Sequence, residues 1–321
     1  MNATVGATAA SLAALDALAA ERGLSLSADA PLAPLTTLRV GGRADRLAVA
    51  TTSPELLALL NVGRETAVPT FVLGNGSDLV VADAGVRGLV IRNRSKAVAI
   101  EGDRLAADSG AAMAMLVRRC AAAGLAGLEF GISVPGTLGG AIWANAGAHG
   151  GEIRDVLIDV DAWDPANGEV RSLDNAACSF SYRESRFKQS AEVILAARLG
   201  LHAGDTGEIA ERIAEHQAQR IATQPLADQN AGSVFRNPPG DHAGRLIDAA
   251  GLKGLRMGSA SVSTLHANFI VTERGGRAAD VRALGERLRA AVRDRFGVEL
   301  QFEIEFVGEW DAPDPDGAAP S

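Results

Sequence analysis

The sequence predicts an α+β protein in two parts, a larger domain to about residue 203 and a smaller one after it. Three observations predict this. From Arg46 onward, short apolar runs bounded by Gly, Asp and Asn alternate with helical stretches. Near residue 205 that pattern gives way to a long charged helix. Finally, 321 residues exceed what one compact core usually holds.

Taken in order, residues 8–22 read as an amphipathic helix stopped by Gly23, and a lead-in with Pro31 and Pro34 completes a segment 1–35. Arg46–Thr51 is strand-like, and Ser53-Pro54-Glu55 opens a helix as N-cap, early proline and dipole-matching acid. Phe71–Leu73, Leu79–Val81, Leu89–Arg92 and Val98–Glu101 are short strands, and residues 111–123 form a helix ended by Gly124. Val156–Trp163 alternates as a half-buried strand does, with Glu169–Leu173 and Glu192–Leu199 as its partners. Asp205, with Glu208 three residues on, caps a helix running to about Thr223. The last helix, 278–296, puts Val281, Leu284, Leu288, Val292 and Phe296 on one face and ends at Gly297. Glu299–Val307 then reads as one strand, with Leu300, Phe302, Ile304 and Phe306 on one side. The proline- and aspartate-bearing residues 310–321 read as a disordered tail. No internal repeat is present.

Composition removes several functions. Acidic residues outnumber basic ones, 39 to 31, for a net charge of −8, so an extended nucleic-acid interface is not expected. Cys120 and Cys178 stand alone, without the spacing of a zinc site or disulfide framework, and the histidines show no metal spacing. The alanine-rich N-terminus lacks a basic n-region and carries Asp16, and no apolar run is long enough to span a bilayer. A soluble cytoplasmic protein, working as a monomer, is expected.

Two glycine loops carry the chemistry. Between Cys120 and Gly151 the only charged side chain is Glu129, although the run Ser133–Glu152 is crowded with glycine. A solvated linker has no reason to be free of charge over such a length. Bare amides that must approach a polyanion do. Leu73–Val80, with Gly74-Asn75-Gly76, is a second such loop, and the pair points to a large phosphate-containing cofactor. The alternative for either loop alone is a set of tight turns under a helical layer. Neither loop is a common nucleotide signature: Gly74-Asn75-Gly76 lacks a third glycine, and Gly136 is followed by Thr137 where a P-loop has lysine.

Both loops resemble those of vanillyl-alcohol-oxidase-type flavoproteins. Eight motifs in register resemble one family within that group, the bacterial UDP-N-acetylenolpyruvoylglucosamine reductases. They are Thr36–Gly42, Leu73–Ser77, Val134–Gly140, Asn145–Glu152, Phe180–Arg183, Gly232–Pro238, Ala250–Gly254 and His266–Phe269. The resemblance spans residues 36–308. It implies a two-lobed FAD-binding domain over 36–203 and a smaller α+β substrate-binding domain over 204–309. It also implies noncovalent FAD, NADPH as hydride donor, and a UDP-sugar enolpyruvyl ether reduced to UDP-N-acetylmuramate for peptidoglycan. Gly74, Asn75, Gly76, Ser77 and Asp78, with Pro135, Gly136, Thr137, Gly139, Gly140, Asn145 and Gly147, are the implied FAD contacts. Tyr182, Arg236 and Asn237 are the implied substrate contacts, and Arg183, Ser233 and Glu303 the catalytic residues. Phe180-Ser-Tyr-Arg183 followed by Phe187-Lys188, with no tyrosine-bearing insertion, looks like the shorter, type II branch. This chain departs from the family pattern at Asp78, where asparagine is common, at Ser133-Val134, where Gly-Ile is common, and at Gln301-Phe302, where Glu-Pro is common.

Reducing a C=C bond beside a carboxylate needs hydride at the β-carbon and a proton at the α-carbon. Arg183 suits the carboxylate with its planar fork of donors, Glu303 the enol form that builds there, and Ser233 the proton. Strand alternation alone puts Glu299, Glu303 and Glu305 on the same polar side, so only the family register selects Glu303. His149 is read as a loop-packing residue, with covalent flavin attachment as the alternative. Two other functions compete. An alcohol or hydroxy-acid oxidoreductase of the same flavin fold would have no reason to carry Gly232–Pro238. A silent nucleotide-binding protein would be expected to lack one of Arg183, Ser233 and Glu303.

Overall fold

The computed structural model describes residues 7–310. Its helices are α1 (Ala9–Glu21), α2 (Ser53–Glu65), α3 (Met113–Ala122), α4 (Leu138–Trp143), α5 (Thr206–Thr223), α6 (Ala243–Ala249) and α7 (Ala278–Phe296). They cover two large sheets in the first two-thirds of the chain and a smaller four-stranded sheet in the remainder, beside three two-stranded pairings.

The first sheet has the spatial order Ser27–Pro31, Arg43–Ala50, Val86–Asn93, Thr70–Leu73, and its last three strands are parallel. Leu89, Val90 and Ile91 in the central strand are all buried, as a strand covered on both faces requires. Leu89 and Ile91 join Leu15 of α1 and Leu56, Leu59 and Leu60 of α2 in one core, while Val90 faces Leu32 and Leu73 on the other side. Thr52, not Ser53, caps α2, its hydroxyl accepting from the Glu55 amide at 3.2 Å. The Ser53 hydroxyl is occupied elsewhere, donating to Asp108 and to the Leu195 carbonyl, and so ties this lobe to the next.

The second sheet is antiparallel, in the order Val170–Asp174, Leu157–Trp163, Val193–Gly200, Arg104–Asp108, Val98–Glu101. Helices α3 and α4 close over its apolar face through Leu116, Val117, Leu138 and Ile142. Helix α5 starts as expected, with the Asp205 carboxylate accepting from the amides of Gly207 and Glu208. It lies on this lobe: Ile213 packs against its core, and Arg212 bonds Glu129 at 2.7 Å.

After α5, a small antiparallel sheet (Gln229–Asn230, Ile270–Thr272, Ala260–Val262, Arg256–Met257) is backed by α6 and α7. Helix α7 buries Val281, Leu284, Leu288 and Val292 and ends at Gly297 in the left-handed region, as its pattern requires. The expected single strand Glu299–Val307 is divided. Phe302 bridges Phe235 within this last part, whereas Glu305–Val307 pairs in parallel with Leu79–Val81 of the first lobe. The chain changes neighbour at Ile304, which no alternation of apolar residues announces. Of the expected tail, Trp310 packs edge-on against Phe306, and residues 311–321 lie outside those described. No helix among the described residues is long and apolar enough to cross a membrane.

Candidate active site

The two glycine loops face each other across a cleft of about 1500 Å³. That is larger than the roughly 300–1,000 Å³ of an ordinary ligand pocket and leaves room for a dinucleotide and a second ligand. Asn75 ties the loops together, its Nδ2 donating to the Pro135 carbonyl at 3.2 Å. Residues of helix α5, with Asn230–Ser233 and Asn237, also line it.

The glycines divide into two kinds. Gly74, Gly139 and Gly147 are glycine because the protein is already there: a Cβ would come within 2.7 Å of Thr137 Oγ1, 2.9 Å of Ser109 Cβ and 2.7 Å of Glu152 Cβ respectively. Gly76 adds a positive φ of 60°. Gly136 and Gly140 are different. They sit at ordinary φ, and their nearest neighbours to a Cβ are Ser77 Oγ at 3.4 Å and Thr137 Oγ1 at 3.6 Å. Nothing in the protein forbids a side chain at these two positions; what it would fill is cleft.

The backbone tells the same story. No main-chain N–H from Gly74 to Asp78, nor of Gly136 or Thr137, finds an acceptor among the described residues. Lining a cleft and free of protein acceptors, this array fits an anionic ligand such as a diphosphate. The residues present therefore fit a dinucleotide.

Arg183 and Glu303, 120 residues apart in sequence, meet in the cleft, with Arg183 Nε donating to Glu303 Oε1 at 2.8 Å. A second bond, from Arg183 Nη2 to the Gly147 carbonyl at 2.8 Å, fixes the guanidinium against the second glycine loop. The arginine sits on a tight turn closed by reciprocal Ser181 and Glu184 bonds, with φ of 57°. A non-glycine residue held in the left-handed region is strain of about 1–2 kcal/mol, typical of a functional turn. Ser233 lines the same cleft, and its hydroxyl has no partner among the described residues. The Phe235–Phe302 bridge, with Glu303 N donating to the Val234 carbonyl at 2.8 Å, holds the Ser233 and Glu303 segments side by side, and both residues line the cleft. Glu299 is separated from the other two acids: it bonds Arg289 of α7 at 2.6 Å, while Glu303 and Glu305 both line the cleft.

Other expected residues are placed less uniformly. Ser77, Asp78 and Asn237 line the cleft. Asn145 does not. It is fully buried, and its amide bonds only protein groups, Glu152, the Ser181 carbonyl and the Arg154 amide, so it anchors the loop instead of touching a ligand. Tyr182 and Arg236 also lie outside the cleft wall. The Tyr182 ring is 49% exposed under the Arg183 guanidinium, and Arg236 bonds Glu184 at 2.6 Å, joining the Ser233 segment to the Arg183 turn.

Two features were not anticipated. Lys188 reaches over the Trp143 ring to bond Glu305 at 3.1 Å, and Asn268 clamps the Ser233 segment. Both lie in motifs visible in the sequence, but their partners are distant in it. The buried Asn268 side chain accepts from the Phe235 amide and donates to its carbonyl. Asn268→Ala is expected to cost about 1–3 kcal/mol by stranding those two groups, read as a lower urea midpoint. His149 is engaged by Ser133 Oγ at 2.8 Å and stacks on His216, with ring centroids 3.8 Å apart. Burial pushes the Cys120 and Cys178 thiols up to about 11, so neither is a nucleophile at neutral pH.

Free amides on two glycine loops, above an arginine–glutamate pair, define an FAD-binding oxidoreductase, and residues 44–174 match the FAD binding domain family. Residues 224–307 match the family described as UDP-N-acetylenolpyruvoylglucosamine reductase, C-terminal domain. A relative from Symbiobacterium thermophilum named UDP-N-acetylenolpyruvoylglucosamine reductase 2 is 41% identical over 281 residues, 87% of this chain and 91% of its own. Another from Anaeromyxobacter sp. (strain Fw109-5), named UDP-N-acetylenolpyruvoylglucosamine reductase, is 45% identical over 90% of this chain and 91% of its own. The solved UDP-N-acetylenolpyruvylglucosamine reductase of Thermus caldophilus superposes with a TM-score of 0.75 at 36% identity, covering 88% of this chain and 98% of that one. The chain belongs to the UDP-N-acetylenolpyruvoylglucosamine reductase family. The expected fold, an FAD-binding domain followed by a smaller α+β part, is borne out.

Proposed function

We propose that this chain reduces the enolpyruvyl ether of UDP-N-acetylglucosamine to UDP-N-acetylmuramate, using NADPH, in cytoplasmic peptidoglycan precursor synthesis. The observation that carries the reading is the Arg183–Glu303 pair in a cleft that Ser233 and free loop amides also line. Bound FAD supplies the chemistry of accepting hydride from NADPH and passing it to the β-carbon of the ether.

The chain's own residues do the rest. The amides of 74–78 and of Gly136 and Thr137 hold the diphosphate, with Gly140 leaving it room. The Arg183 fork takes the substrate carboxylate, and its bond to Glu303 keeps it pre-aimed, so little ordering remains to be done on binding. As charge moves onto that carboxylate, the Arg183 guanidinium stabilises the enediolate-like form, and Glu303 keeps the guanidinium in place. Ser233 Oγ gives its proton to the α-carbon, completing the saturated ether. Asn237 lines the same cleft, and the Tyr182 ring lies outside it under the Arg183 guanidinium. Arg236, whose Nε has no acceptor, supports the turn beneath them. We assign 36–203 to FAD, 204–309 to the substrate, and 1–35 to a supporting lead-in. We propose that the chain works as a monomer.

NADPH consumption that depends on the enolpyruvyl ether, with a product heavier by one pair of hydrogens, tests the function. Oxidation of alcohols or hydroxy acids with no turnover of the ether would overturn it. Purified protein is also expected to be yellow and to release its flavin into the supernatant on acid precipitation, because His149 is already bonded to Ser133 and stacked on His216. Flavin retained in the pellet would restore His149 as a covalent anchor.

A further inference from the structure

The cleft wall around Glu303 carries more negative charge than its cations answer. Three carboxyls meet there: Asp78, at the end of the first glycine loop, and Glu303 and Glu305, on the segment whose Glu305 amide bonds the Asp78 carbonyl at 3.0 Å. Two cations face them, Arg183 from the 181–184 turn and Lys188 from the turn Arg186–Lys188. Each is already committed, Arg183 to Glu303 at 2.8 Å and Lys188 to Glu305 at 3.1 Å. The Asp78 carboxyl is half-buried on the cleft wall and has no ion-pair partner or hydrogen-bond donor among the described residues.

Burial raises the Asp78 carboxyl well above the usual carboxylate range, and Glu303 and Glu305 push the same way against Lys188 and Arg183. The neighbouring amides impose the same demand independently. The unpaired N–H groups of 74–78 are arranged for an anion, and an ionised Asp78 at the end of that array would repel it. A neutral carboxyl instead offers one O–H donor, as does the asparagine amide common at this position in the family.

We propose that Asp78 is a neutral acid in the working enzyme and donates a hydrogen bond to bound FAD, so that FAD is held more weakly as pH rises. The inference rests on residues 74–78 and 136–140 being the FAD cradle, and deepens that reading. The sign follows from which form bonds. The protonated form is complete below the raised pKa and is lost as pH climbs through it. Beyond that point affinity falls by about tenfold per pH unit, until the residual contacts set a floor.

Full-length protein stripped of flavin is titrated with FAD across neutral to alkaline pH, following the quenching of flavin fluorescence. Wild type is expected to weaken at alkaline pH by tenfold or more, whereas Asp78→Asn, a donor that does not titrate, stays flat. Asp78→Leu, with no donor, binds weakly at every pH. Equal pH slopes in wild type and Asp78→Asn, or a flat wild type, would overturn the proposal. Should Asp78→Asn fail to fold, the infrared carbonyl band of a protonated carboxyl, present in wild type at neutral pH and absent from Asp78→Ser, decides the matter, and its absence from wild type overturns the proposal. Gly140→Val is the control for the underlying reading. If it binds FAD as wild type does, the cradle is misplaced; if it loses FAD while the two pH slopes match, only the donor role of Asp78 fails.

Discussion

Ser233→Ala will lose its flavin absorbance on anaerobic addition of NADPH at the wild-type rate, and will regain it on addition of the enolpyruvyl ether slower by ~10²–10⁴-fold. The asymmetry comes from where the proton is needed. No substrate carbanion exists while NADPH is being oxidised, so the serine has nothing to protonate. In the second half the α-carbon must take a proton as or after hydride reaches the β-carbon, and Ser233 is a cleft hydroxyl on the segment that the Phe235–Phe302 bridge holds beside that of Glu303. Arg183→Ala should also slow mainly the second half, through lost stabilisation of charge on the substrate carboxylate, and Glu303→Gln through a weaker hold on the Arg183 guanidinium. Stopped-flow traces separate the halves. Equal slowing of both in Ser233→Ala, or of neither, would remove the serine from the chemistry.

The second large effect is expected at Gly140. Gly140→Val should purify as soluble, colourless or flavin-poor protein, with FAD affinity reduced by about tenfold to a hundredfold, the equivalent of roughly 1–3 kcal/mol of overpacking. Folding should not suffer, because the position lies in the first turn of α4 at an ordinary φ, and the nearest atom to the new Cβ outside the helix's own backbone and the adjoining residues is Thr137 Oγ1 at 3.6 Å. Valine is also a better helix residue than glycine. Gly139→Val should do the opposite, since its Cβ would meet Ser109 Cβ at 2.9 Å and damage the fold itself. Thermal melting of both variants, with flavin content read from the spectrum, tells ligand collision from misfolding. Full flavin occupancy in Gly140→Val would mean that the second loop is not a phosphate cradle.

What the sequence by itself determined was local: helix starts and stops, strand alternation, and the two charge-free glycine loops. Asp205, Gly124 and Gly297 end or begin their helices as expected because capping and positive φ are settled within a few residues. What only the tertiary structure decided is which side chain meets which. Ser53 was read as a cap, yet its hydroxyl is claimed by Asp108 and Leu195 from another sheet. The motif around Asn145 implies a cofactor contact, yet its amide is spent on Glu152 and the Ser181 carbonyl. Glu299, Glu303 and Glu305 were equivalent by periodicity. They part because the chain leaves the Phe235 segment for Leu79–Val81, giving Arg289, Arg183 and Lys188 as their respective partners. Periodicity reports which face of an element is apolar, whereas the cleft pairs Arg183–Glu303 and Lys188–Glu305 join residues 120 and 117 apart, which no local pattern encodes.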